Sequence, residues 1–161
     1  MKTRLLHTGL PLLLGVVLVA LLATSAWFWR DDLRGDDGRG SASTRARTAA
    51  VTFFSLDHDD ASANIDRLLK MSTGRFKSDY KAQRGALEKQ VQSKQLTVTA
   101  DVSKNGTALE FLSPTRSQVL VAVDTTTALA NGRSEKGSYR IRVVLSKVDS
   151  TWLVSGLEQV G

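Results

Sequence analysis

The sequence predicts an α+β fold: an N-terminal transmembrane helix, then a cone-like domain of three helices packed on a curved antiparallel sheet of four to five strands. Three observations carry this. Residues 10–29 hold no charged side chain. Between residues 44 and 95 the apolar positions recur at helical spacing, and after Gln95 they alternate with a period of two. Helices first and strands afterwards is the order of an α+β domain.

Composition narrows the chemistry. The chain has 161 residues, 22 Lys+Arg against 16 Asp+Glu, two histidines and no cysteine. That length holds one ordinary domain with a little to spare. A hydrophobic share of 42% with 24% charged residues is that of a folded protein. Without cysteine there are no disulfides, thiolate nucleophiles, iron–sulfur clusters or cysteine-ligated zinc. His7 and His58 lie far apart, which excludes a histidine-rich metal centre. The net charge of +6 comes with no aromatic interleaving or base-reading motif, so nucleic acid is not an expected partner.

Residues 5–29 (LLHTGLPLLLGVVLVALLATSAWFW) are long enough to span a bilayer core of roughly 30 Å, which takes about 20 apolar residues. In lipid the segment has to be helical, despite Pro11 and Gly15, to satisfy its backbone. Trp27 and Trp29 suit the far interface, and Lys2 and Arg4 flank the near end. A bare count of Arg30, Arg34, Arg39, Arg45 and Arg47 favours the C-terminal side as cytoplasmic. Long domains translocate largely regardless of charge, however, and a short N-terminus with two basic residues reads as a signal anchor. The expected placement is therefore a single-pass protein of the cell membrane, its C-terminal domain on the outer, periplasm-like side. Thr24-Ser25-Ala26 offers an alternative cleavage site, but the apolar run continues through Trp27-Phe28-Trp29 and favours retention.

Residues 30–43 (RDDLRGDDGRGSAS) read as a flexible linker, and 44–161 as the domain. Ser43 or Thr44 caps a first helix with Ala46, Ala49, Ala50, Phe53 and Phe54 on its apolar face. The acidic step Leu56 to Asp60 interrupts. Asp60 is the expected N-cap of a second helix with Ala61, Ile65, Leu68 and Leu69 on one side. Ser72-Thr73-Gly74 ends it. A third helix over 75–94 places Phe76, Tyr80, Leu87 and Val91 on one face, with Gly85 inside.

Residues 96–102 alternate as a strand. Asn105-Gly106 predicts a hairpin, since both residues tolerate positive φ. Ala108, Glu110 and Leu112 would return to Ser113-Pro114. Residues 117–127 form a strand with Val119, Val121 and Val123 on one face. Residues 130–138 read as a loop. Tyr139, Ile141, Val143 and Leu145 share the inner face of the next strand, opposite Arg140 and Arg142. Ser150-Thr151 turns into the last strand, 152–158, where Gly156 suggests curvature. A curved sheet around helices makes a cone, and a cone can hold a pocket.

The stretch VTFFSLDHDDASANIDRLLKMSTGRFKSDYKAQ (51–83) resembles the Mce-associated membrane proteins of actinobacteria. The acidic step, the apolar second helix and Thr73-Gly74-x-Phe76-x-x-x-Tyr80 carry the likeness. RIRVVLSKVDSTWLVSGLEQV (140–160) is similar to that family's closing hairpin, and a single N-terminal span is its layout. The family's usual tyrosine in the acidic step is His58 here. The resemblance implies a nuclear-transport-factor-2-like fold and a non-enzymatic, membrane-anchored accessory or stabilising subunit of an Mce-type lipid import complex handling sterols or fatty acids. It supplies no catalytic residue, metal or cofactor.

The residues themselves offer two surfaces. His58 among Asp57, Asp59 and Asp60 has the composition of a base or cation site, but a solvated helix start already explains these residues. The second and third helices are basic. Arg67, Lys70, Lys77, Lys81, Arg84 and Lys89 form the candidate surface for partner subunits or lipid headgroups, the other reading being a solvated helix face. Trp152 reads as core. The exposed edge strand, residues 107–112 or the C-terminal strand, is the other docking candidate. Two alternatives share the fold: a scaffold subunit of a type IV secretion or conjugation apparatus, and a small-lipid carrier holding an apolar ligand in the cone.

Overall fold

The computed structural model describes residues 38–128 and 132–160. The apolar segment 5–29 and most of the linker lie outside the described residues. Among those described, no helix is long and apolar enough to cross a membrane.

Helix α1 covers 38–54 and is followed by strand β1, Leu56–Asp57. Helices α2 (Ala61–Lys70), α3 (Gly74–Ala82) and α4 (Arg84–Ser93) come next. Strands β2 (Thr97–Asp101), β3 (Thr107–Leu112), β4 (Arg116–Ala128), β5 (Ser134–Val148) and β6 (Thr151–Gln159) complete the chain. The domain is thus a mixed helix and curled antiparallel sheet, as expected, but with four helices and six strands among the described residues.

The extra helix arises because the expected helix over 75–94 breaks at Gln83, which ends α3 and starts α4. The break lets α3 lie along β6 and α4 along α2. Phe76, Tyr80, Leu87 and Val91 still face one cavity, so the face predicted by spacing survives the division. Helix α1 already includes 38–42, ahead of Ser43 and Thr44, and Ala42 is fully buried. Asp60 does precede α2, but its side chain makes no cap and instead accepts a hydrogen bond from Arg67 at 3.3 Å. Gln95, with φ of 49°, turns the chain out of α4 without a glycine.

The sheet order is β1-β2-β4-β5-β6, with β3 also on β4. The expected hairpin at Asn105-Gly106 does not form. Strand β2 pairs with Asp124 to Ala128 and β3 with Ser117 to Val121, both antiparallel to β4. They are two halves of one strand, and residues 102–106 bulge out opposite Ala122 and Val123. Neither Asn105 nor Gly106 takes positive φ. Gly106 is required for another reason: a Cβ there would sit 2.9 Å from Val102 Cγ1 and 3.1 Å from the Ser103 carbonyl oxygen. The two-residue hairpin turn that the chain does make is Asp149-Ser150, with φ of 45° and 66°, between Val148 and Thr151. The expected loop 130–138 is shorter, because β5 begins at Ser134 opposite Ala128. Ser134, Glu135 and Lys136 are exposed, so no alternation of polarity marks them.

The inner face of the sheet follows the predicted alternation. Val119, Val121, Val123, Ile141, Val143 and Leu145 are buried, and Trp152 and Val154 join them from β6. Against this face lies α1 through Ala42, Ala46, Ala49 and Ala50, all without exposed surface. Register shifts at Leu109/Phe111 in the β3–β4 pair and at Val144/Leu145 in the β5–β6 pair, the latter beside Gly156, bend the sheet.

Arg47 of α1 donates to three successive carbonyls of the bulge, those of Val102, Ser103 (2.6 Å) and Lys104 (3.0 Å). It pins the interrupted strand to the helix. Replacing Arg47 by Leu removes a charged donor from these carbonyls and is expected to cost about 2 kcal/mol. Amides of residues 102–106 should exchange hydrogen faster in the variant, while those of β5 stay protected. An unchanged melting temperature with unchanged exchange would show that the bulge stands without the clamp.

Candidate functional site

The concave side of the sheet and the helices enclose a cavity of about 480 Å³. It is built from α1 (Phe53, Phe54), α2 (Ala61, Ile65), α3 (Phe76, Asp79, Tyr80), α4 (Leu87, Val91) and the sheet (Val98, Thr125, Thr127, Tyr139). Rings form an arc around it. Tyr139 stacks on Phe54 at 5.0 Å, Phe54 meets Phe53 edge-on at 5.2 Å, Phe53 lies 6.2 Å from Tyr80, and Tyr80 stacks on Phe76 at 5.9 Å. Burial raises the Tyr80 hydroxyl above its ordinary pKa. The Thr125 hydroxyl donates to the Gly137 carbonyl at 3.3 Å. Asp79 and Gln83 are exposed, so the polar groups on α3 lie toward solvent and the apolar lining lies inward. Alternation and helical spacing had placed most of these side chains on inner faces, but Asp79, Gln83 and Thr127 carried no signal of their own.

The six predicted basic residues fall into two groups. Arg84 bridges helices: it donates to both carboxylate oxygens of Asp66 on α2 (2.6 and 3.2 Å), to the Ser62 hydroxyl (2.6 Å), and to Glu88 (2.8 Å). Hydrogen bonding from Arg84 holds the Asp66 carboxyl below its ordinary pKa, with the charges of Arg84 and Lys70 adding to the effect. Arg67 donates to Asp60 and to Asn64. Arg75 likewise pairs with Asp79 at 3.2 Å. Residues 61–95 hold eight basic and three acidic residues, an excess of five. Every one of those acids (Asp66, Asp79 and Glu88) is paired with an arginine. The outward charge therefore rests on lysines, with Lys70, Lys77, Lys81 and Lys89 all exposed.

His58 is half-buried. Its Nδ1 lies 3.1 Å from the Thr97 hydroxyl, and Asp57 and Asp59 approach the ring at 3.7 and 3.5 Å. The Asp57 carboxylate accepts the Asp59 amide at 3.0 Å. The acidic step thus folds on itself and links to β2, and it brings one side-chain donor atom of each of Asp57, His58 and Asp59 within 4.8 Å of the others.

Edges of the sheet are treated unequally. Strand β1 covers Thr97 and Val98 of β2. The α2–α3 connector covers the middle of β6, where Val154 donates to Met71 and accepts from Thr73, both at 2.8 Å. Among the described residues β3 pairs with β4 alone, and Phe111 on it is 48% exposed. On the outer sheet face Arg142 joins Glu110 of β3 (2.6 and 3.1 Å) to Glu158 of β6 (3.2 Å).

The family model described as "Uncharacterized protein Rv1363c/MT1408-like" matches residues 5–161. Uncharacterized protein Rv1363c of Mycobacterium tuberculosis is 27% identical over 116 residues, which is 71% of this chain and 44% of that protein. The match thus spans less than half the relative's length. Among solved structures, an IcmL-like type IV secretion system protein of Legionella pneumophila superposes with a TM-score of 0.63 at 16% identity, covering 76% of this chain and 91% of that one. A periplasmic fragment of TraM gives a TM-score of 0.61 at 14% identity, covering 75% and 96%. At these identities the likeness is one of fold.

The Arg84 bridge predicts a pH dependence. The Asp66 pKa is lowered in the folded protein, so its contribution to stability is present above the ordinary carboxylate range and is lost as pH falls through the lowered value. Arg84→Gln should melt below the wild type near pH 7, and the gap should narrow below about pH 4. A gap independent of pH would assign the effect to packing rather than to the ion pair.

Proposed function

The chain belongs to the Rv1363c/MT1408-like family, and we propose that it serves as a non-enzymatic, membrane-anchored assembly module of a multi-subunit envelope complex. Residues 5–29 would tether it, with the curled-sheet domain on the outer side, so that partners meet it at high effective concentration. The observation that carries the reading is the six-residue edge strand β3, which among the described strands pairs with β4 alone, with Phe111 exposed on it. Natural sheets usually protect such an edge, and an extended partner segment can add a strand to it. The lysines of α2, α3 and α4 add a charged surface suited to an acidic partner or anionic headgroups. The cavity supports the non-enzymatic reading, since its lining is mostly apolar and aromatic and gathers no set of acid, base and nucleophile.

The fold neighbours favour a scaffold of the type IV secretion kind: one is a type IV secretion protein and another is periplasmic. An Mce-type lipid import complex is the second reading, favoured by the residue likeness over 51–83 and 140–160. In either case the domain acts by holding other subunits.

Tagged full-length protein, cross-linked in membranes and captured, should bring down subunits of one such complex. Recovery of secretion-type scaffold subunits supports the first reading, and recovery of Mce subunits transfers the role to the second. Recovery of neither, with the tagged protein intact, would sink the assembly role. Phe111→Lys together with Ala108→Arg should lower capture about tenfold or more, the scale of a single interface hot spot, without changing the melting temperature.

A further inference from the structure

Helix α3 has no buried residue, although Phe76 and Tyr80 point toward the middle of the molecule. Helix α4 buries only Val91. Both helices line the cavity, with Phe76 packed at the margin of the core and Val91 buried. An amphipathic helix whose apolar side lines a cavity is stabilised by an apolar group that binds there.

The cavity's size and polarity limit the filler. Its volume of about 480 Å³ lies within the usual range for small-ligand sites. At roughly 30 Å³ for each water-sized group it holds on the order of 16 non-hydrogen atoms. The walls are aromatic and aliphatic, so that content is hydrocarbon. Polarity appears where α3 turns Phe76, Asp79 and Tyr80 to the cavity, at helical positions i, i+3 and i+4, and where Gln83 follows at the end of the helix. Asp79 is the one charged residue of the lining, and its side chain is 58% exposed, which puts it at the mouth. Asp79 pairs with Arg75 at 3.2 Å, so a ligand carboxylate at that point would have to compete with the Asp79 carboxylate for that guanidinium. A hydroxyl instead donates to the Asp79 carboxylate or to the Gln83 amide oxygen.

We propose that the cavity binds a slender, single-tailed aliphatic alcohol, its hydrocarbon among Phe53, Tyr80 and Leu87 and its hydroxyl at Asp79. This site lies on different elements from the β3 edge and stands or falls separately from the assembly role.

The test uses the full chain in phosphatidylcholine nanodiscs with two photoreactive probes, hexadecanol and hexadecanoic acid, each bearing a diazirine in the tail. Labelled residues are mapped by mass spectrometry. The alcohol should label the cavity residues of α3 and α4, and the acid should do so about fivefold less, the factor expected for one like-charge contact near water. Asp79→Asn should raise labelling by the acid toward that by the alcohol. Leu87→Trp fills the cavity and should remove this labelling at unchanged helical content. If that variant does not fold, excess unlabelled hexadecanol must suppress the labelling of the wild type. Labelling confined to residues 5–29, or labelling of α3 and α4 that excess hexadecanol does not suppress, would overturn the proposal. Equal labelling by alcohol and acid would overturn the assignment of the hydroxyl to Asp79.

Discussion

The packing of α1 on the concave sheet is the constraint from which the remaining architecture follows. Its side chains grow along the helix. Ala42, Ala46, Ala49 and Ala50 carry no exposed surface and allow close approach to Val119, Val143 and Leu145. Phe53 and Phe54 come next, and their rings meet Tyr80 and Tyr139. Those rings line the cavity, and residues of α2, α3 and α4 complete its wall. One helix face thus passes from small residues that pack on the sheet to large ones that line a pocket.

Three arginines hold this arrangement together across long stretches of chain. Arg47 ties α1 to the bulge between β2 and β3. Arg84 ties α4 to α2. Arg142 joins β3 to β6 across the outer sheet face. A guanidinium suits such work because its planar fork offers several donors in fixed directions, which a lysine ammonium does not. The exposed lysines of α2, α3 and α4 remain as outward charge. The division explains why a count of basic residues misjudges the surface: some of the charge is internal bracing.

The treatment of the sheet edges bears on assembly. A two-residue strand protects Thr97 and Val98 of β2 and a helix connector protects β6, both through backbone hydrogen bonds. Strand β3 has no such cover among the described residues. Its register shift and Glu110 limit uncontrolled pairing, as bulges and charges do at natural edges, while Phe111 presents an apolar anchor. An edge kept open but blunted suits selective strand addition better than indiscriminate aggregation.

The sequence by itself determined the class of the domain, the inward faces of β4, β5 and α2, and the burial of Trp152, because these depend on periodicity and on how much area a side chain removes from water. It also showed an apolar run fit for a membrane span. Tertiary structure decided the rest. Asn105-Gly106 has the local chemistry of a hairpin, yet β4 pairs with both flanking segments, and continuous pairing with one long strand outweighs a local turn preference. Asp149-Ser150 turns instead, since the β5–β6 register leaves two residues between paired strands. Gln83 divides a helix whose periodicity runs through it, because each half packs on a different neighbour. Arg84 and Lys89 are both cations on one helix, and only the approach of Asp66 from α2 made one a brace and left the other in solvent. Such outcomes depend on contacts between residues distant in the chain, which local pattern does not encode.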